Sequence, residues 1–180
     1  MSDQIIPMAL KAVETTRLNH AWEHATLNVL ARQGVVARLA GYSEKDGFYI
    51  LGSIDTQVLR NAVELAYQRL IHGEPGLAIH EKCGTNFVAA GAVAGFAAWL
   101  GMIGVGDGLR RKLDRLPLVI LLVTLGTILA QPLGPMLQKE LTTDPHVEAI
   151  RAVSINRFER GSMVVHRVRT TRILPVGAGV

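Results

Sequence analysis

One cysteine in 180 residues cannot build an intrachain disulfide framework, so Cys83 is left as thiol, thiolate or metal ligand. Aromatic residues make up only 5% of the chain. A net charge of +4 therefore comes without the basic and aromatic surface on which bases stack, and nucleic acid is not an expected partner. The stretch from Met1 to Leu10 has neither a basic amino-terminal region nor a long apolar one, so no signal peptide is expected. There is no internal repeat, low-complexity tract, Walker loop or G-x-G-x-x-G fingerprint. Charge is missing from two long runs: Thr85 to Gly106 and Leu116 to Leu137 each hold 22 residues without an ionisable side chain.

Each run, as a helix, would be about 33 Å long, enough to cross a hydrocarbon core of about 30 Å. The expectation is a transmembrane hairpin; two buried helices of a soluble bundle are the alternative. Gly91 and Gly95 form a small-residue step that Gly126 and Ala130 repeat, which suits close helix contact within the hairpin or between protomers of a homo-oligomer. Pro117, Pro132 and Pro135 fall near the ends of the second run, where breaks are tolerated. Arg110, Arg111, Lys112 and Arg115 lie in the expected connecting loop, balanced by Arg69, Lys82, Lys139 and Arg151 on the other side. The expected location is a bacterial inner membrane with the amino-terminal domain cytoplasmic.

The chemistry-bearing feature is His20-Ala21-Trp22-Glu23-His24, followed by His80-Glu81-Lys82-Cys83. Residues four apart stack on a helix, so His20 and His24 can converge on one ion. At about 100° per residue, Glu23 projects roughly 60° to one side of His20 and His24 roughly 40° to the other, which places a general base beside the metal pair. Leu27 and Ala31 continue the stripe, so a buried core face is the competing reading. His80 and Cys83 supply the further ligand types of a zinc site. Zinc or another first-row divalent ion would suit these donors.

The expected fold class is α+β: a small soluble helix, β-hairpin and helix domain (residues 1–84), a two-helix transmembrane hairpin (85–137) and an Arg-rich carboxy-terminal β-hairpin packed on the first domain (138–180). The pattern predicts a helix from near Pro7 to Gln33 with Gly34 at its exit. Strands are expected over Val35 to Ala40 and Phe48 to Ser53. Asp55 should cap a helix over Thr56 to Ile71 with an apolar stripe of Leu59, Ala62, Val63, Ala66 and Leu70. Leu77 to His80 reads as extended. Cys83 falls at the amino terminus of the first apolar helix, which favours thiolate. Two further strands are expected over Ile150 to Asn156 and Ser162 to Thr170, with His166 inward as a reserve ligand. His72 and His146 carry no argument. Arg151, Arg157, Arg160, Arg167, Arg169 and Arg172 could meet anionic lipid headgroups or remain a solvated face.

These motifs resemble uncharacterised bacterial membrane proteins grouped as domain-of-unknown-function family 6391, over most of the chain. A broader, distant group shares an H-G-x-E-H segment and an H-P-x-C-G-T-S segment, and its members are described as predicted metal-dependent enzymes. The resemblance implies membrane location and metal binding, with His20, Glu23, His24, His80 and Cys83 as the matching positions, and it implies no substrate. Ala21, Glu81 and Asn86 depart from the broader pattern, which touches loop conformation while leaving each ligand position in place.

Three functions follow. The first is a zinc-type hydrolase, in which His20, His24 and His80 bind the ion, Glu23 is the catalytic base, and Cys83 is a fourth ligand or a neighbour of the ligands. The H-x-x-E-H order also resembles inverted zinc peptidases, which need a distal acidic ligand; Glu64 on the second helix is the one candidate here besides His80. The second is a closed structural or sensory metal site, with Cys83 completing four ligands. The third is a metal-free membrane scaffold.

Overall fold

The computed structural model describes residues 2–35, 37–161 and 163–173, with the side chains of residues 2–7 and of residue 160 left aside. The chain divides into two compact units, residues 1–80 with 139–180, and residues 81–138.

The first unit is a two-layer α+β arrangement: one face of a four-stranded antiparallel sheet is packed by helices. Its elements are α1 (Ser2–Arg32), β1 (Ala40–Glu44), β2 (Gly47–Leu51), α2 (Thr56–Ile71), β3 (Ile150–Arg160) and β4 (Met163–Arg172), and the strand order is β1-β2-β4-β3. The register sets Ser43 opposite Phe48 and Phe48 opposite Val168, and it sets Gly41 opposite Ile50 and Ile50 opposite His166. Phe48, Ile50, His166 and Val168 are fully buried, so these positions form the inner face. Residues 21–27 of α1 are all buried. A helix segment covered on every side is a core element rather than a surface one. Trp22 anchors it, with its ring 4.8 Å from that of Tyr67 and 6.1 Å from that of Phe48, and with its Nε1 donating to the Val63 carbonyl at 2.9 Å.

Asp55 caps α2 as expected, its Oδ1 accepting from the backbone N–H of Gln57 and Val58, and the whole apolar stripe from Leu59 to Leu70 is buried. Gly34 ends α1 at φ 74°, a left-handed position where a side chain is disfavoured.

Several expectations are corrected. α1 begins at Ser2 rather than near Pro7. The first strand is Ala40–Glu44; of the expected Val35 to Ala40, Val36 lies outside the described residues and 35 and 37–39 are not strand, because Lys45 and Asp46 make a two-residue turn that fixes the pairing from Glu44 and Gly47 outward. β2 ends at Leu51, and β3 and β4 run on to Arg160 and Arg172. Pro75–Ala78 is a 3₁₀ turn, leaving only Ile79 extended before His80. Ala31 is exposed, since the helix rises out of the core one turn after Leu27.

The second unit holds α3 (Gly84–Met102), α4 (Leu109–Leu129) and α5 (Leu133–Leu137). Among the described residues α3 is the one helix that is long and apolar enough to cross a membrane by itself; α4 qualifies only together with the segment that follows a 49° bend. The second apolar run is thus not a straight span over Leu116 to Leu137. Helix α4 ends at Leu129, before Pro132, whose ring nitrogen has no hydrogen to give the ladder. Arg110, Arg111, Lys112 and Arg115 lie in the first turns of α4, not in the connecting loop, which is confined to residues 103–108. Helix contact in the hairpin uses Ala97 and Val93 against Gly126, and Gly101 against Val119, where an added Cβ would come within 3.3 Å or less of its neighbours. Gly91 and Gly95 face open space.

Candidate metal centre

His20, His24 and Asn28 recur every fourth residue of α1 and so form one stripe along the helix. The rings of His20 and His24 have centroids 4.2 Å apart, and those of His24 and His80 are 5.6 Å apart. Each of the three imidazoles uses Nδ1 for an oxygen of the protein: His20 for the Thr142 carbonyl at 2.9 Å, His24 for the Ala78 carbonyl at 2.7 Å, and His80 for Asn28 Oδ1 at 2.9 Å. A carbonyl oxygen can only accept, so Nδ1 carries the hydrogen in His20 and His24, and the neutral ring keeps its lone pair on Nε2.

Asn28 settles the same question for His80. Its Nδ2 donates to the Leu77 carbonyl at 2.9 Å and the Ile79 carbonyl at 2.8 Å, so the oxygen is the end turned to the imidazole. All three rings are held in the form that ligates through Nε2, by the kind of oxygen contact that orients metal-bound histidines. The Thr142 carbonyl comes from a π turn, Gln138–Thr142, whose wider winding is a recurrent feature of functional sites. Asn28→Asp cannot donate to Leu77 and Ile79, and it is expected to weaken metal affinity about 10–100-fold, as read by competition with a chromophoric chelator.

Within the first unit, α1 holds His20 and His24 as neighbouring rings. His80 belongs to the same unit and is in ring contact with His24. Cys83 is buried and caps α3 in extended conformation, its thiol 3.4 Å from Thr85 Oγ1. Glu23 is 3% exposed, and its Oε2 accepts from Ser43 Oγ of β1 at 2.8 Å. Ala21, which replaces the glycine of the broader motif, is fully buried, so its methyl group fills core space.

Glu64 is engaged elsewhere: its carboxylate accepts from Gln68 Nε2 one turn along α2 and lines a groove toward β3. His166, the reserve ligand, is engaged elsewhere too. It is buried on β4, with Nε2 3.0 Å from Thr56 Oγ1 and Nδ1 with no hydrogen-bond partner among the described residues. Burial, and secondly the Arg157 guanidinium, push its pKa below the ordinary 6.5, against the pull of Asp55. The folded state therefore binds fewer protons at His166 than the unfolded state does once pH falls below about 6.5. Its contribution to stability is complete above that value and is lost toward lower pH. A His166→Gln variant is expected to show a shallower loss of urea-unfolding midpoint than the parent between about pH 7 and pH 5.

Asn28, Ser43 and the Thr142 carbonyl were not singled out from the sequence. Asn28 alone left a trace there, as the next member of the four-residue stripe.

The family model described as Domain of unknown function (DUF6391) matches residues 15–155, a segment that takes in His20, Glu23, His24, His80 and Cys83. An uncharacterized protein of Picosynechococcus sp. is 41% identical over an alignment covering 47% of this chain and 47% of that protein. The chain thus spans about half the length of the curated relative it matches. No solved structure matches it. With the family match running through both motif segments and most of the chain, the protein belongs to the DUF6391 family.

Proposed function

We propose that this chain is a membrane-anchored metal-binding protein whose centre works as a zinc-type hydrolase, with a peptide bond as one candidate target. One observation carries the reading: His20, His24 and His80 each commit Nδ1 to a fixed oxygen, which leaves the lone pairs of three neighbouring rings on Nε2. The Cys83 thiol adds a soft donor that tilts the choice toward zinc over magnesium or calcium. When bound, such an ion would supply Lewis acidity toward a polarised carbonyl and toward water. The residues of the chain do the rest. Glu23, one position before His24 and held by Ser43, takes a proton from water as general base. The near-complete burial of Glu23 and His24 keeps bulk solvent from the carboxylate and from the imidazole beside it in the chain.

Anchoring rests on the surface of the second unit. Phe87, Val88, Phe96 and Trp99 on α3, and Ile120 and Leu129 on α4, are each at least 59% exposed. That much apolar surface needs a cover, and a bilayer would suit α3 by itself and α4 together with the bent segment that follows it. Arg151 and Arg169, exposed on β3 and β4, suit anionic headgroups.

A second reading is a closed structural site in which Cys83 completes four ligands, and the burial of Cys83 favours it. Glu23→Gln separates the two. Purified in detergent, the variant should keep the parent's metal by elemental analysis and lose turnover of a quenched fluorescent peptide library. Unchanged turnover removes the hydrolase reading, and a parent without stoichiometric metal removes both.

A further inference from the structure

β1 brings two small residues to the Glu23 carboxylate. Ser43 Oγ donates to Oε2 at 2.8 Å. At Gly41, two residues earlier on the same strand face, an added Cβ would lie 1.9 Å from Glu23 Oε1 and 2.3 Å from its Cδ. The carboxylate occupies the volume that a side chain at 41 would take. Gly41 does not adopt positive φ, so backbone freedom is not what the position needs; it needs room.

The strand is itself fixed from two sides. Gly41 and Ser43 lie opposite Ile50 and Phe48, which are fully buried, so core packing sets the distance between β1 and α1. At the end of the strand, Asn19 Nδ2 donates to the Glu44 carbonyl at 2.8 Å, and Thr170 Oγ1 donates to Asn19 Oδ1 at 2.7 Å. Asn19 is one helical turn before Glu23, so the same helix that carries the carboxylate is pinned to the strand that cradles it.

We infer that Gly41 and Ser43 are positioning residues for Glu23: glycine at 41 makes the slot, serine at 43 holds one oxygen, and together they fix where the carboxylate acts. The inference rests on the reading of Glu23 as the base of a metal centre, although the cradle can be tested without metal.

Two measurements on the full chain in detergent decide it. The first is thermal unfolding of the metal-free protein. Gly41→Ala should lower the midpoint, and most of that loss should vanish in a Glu23→Ala background, where the slot is empty. An equal loss in both backgrounds overturns the inference, because the glycine would then serve the backbone alone. The second is the visible absorption of the protein loaded with Co²⁺. Ser43→Ala should change the spectrum in the direction of Glu23→Gln, add nothing when combined with it, and be rescued by Ser43→Thr, which keeps the hydroxyl. A Ser43→Ala spectrum identical to the parent's, or an additive change, counts against a positioning role. If the parent takes up no Co²⁺, the metal reading falls while the suppression test still decides the cradle.

Discussion

His24→Ala is expected to purify without stoichiometric metal, and the parent with it. The ring of His24 is 1% exposed and is in contact with those of His20 and His80, so its loss takes a donor from the middle of the set. Perturbing a partner of a ligand costs about 10–100-fold in affinity, and deleting a ligand should exceed that range. The comparison that makes the result specific is Asn28→Asp, which keeps every donor and should stay within it. The Ala78 carbonyl would also lose its donor in His24→Ala, adding a stability cost typical of a buried unsatisfied acceptor, about 1–3 kcal/mol. Chelator competition and elemental analysis read the first effect, and urea unfolding of the metal-free chain reads the second. Retention of the parent's metal content by His24→Ala would remove the imidazole set as the basis of binding.

The largest effect on folding is expected at Trp22. Its side chain is 2% exposed and sits between Tyr67 and Phe48, tying α1 to α2 and the sheet at once. Trp22→Ala leaves a cavity that neighbouring elements cannot fill without moving, at a cost of about 3–5 kcal/mol. Against a typical total of about 5–15 kcal/mol, such a change brings the first unit near unfolding at room temperature. Far-ultraviolet circular dichroism against urea is the suitable measurement, since the intrinsic fluorescence changes with the substitution itself. Trp22→Phe keeps most of the volume and should recover much of the loss. Because Trp22 lies between His20 and Glu23 on the same helix, Trp22→Ala should weaken metal binding as well.

Features set by a local pattern were legible in advance. The stripe of α2 needs only helical periodicity and a carboxylate at Asp55, both written within a few residues, and both are observed. The stacking of His20 on His24 follows from four-residue spacing alone. The apolar character of α3 follows from a run without charge. The first strand was misplaced because Val35 to Ala40 offers better β-formers than Ala40 to Glu44, and the turn at Lys45 and Asp46 overrides that preference by fixing register.

By itself the sequence determined which residues could carry chemistry and on which helix face they stand, since spacing along a regular helix is a short-range property. Tertiary structure alone decided what each of them touches. Asn28 meets His80, the Thr142 carbonyl meets His20, and Gly41 and Ser43 enclose Glu23, across separations of 52, 122 and about 20 residues. Those pairings are fixed by how the sheet and the segment around Thr142 pack on α1, and no local propensity encodes them. The physical reason is that a ligand's tautomer and a carboxylate's place depend on oxygen and hydroxyl groups brought by other segments, which ordinary backbone carbonyls and small side chains supply without leaving a motif.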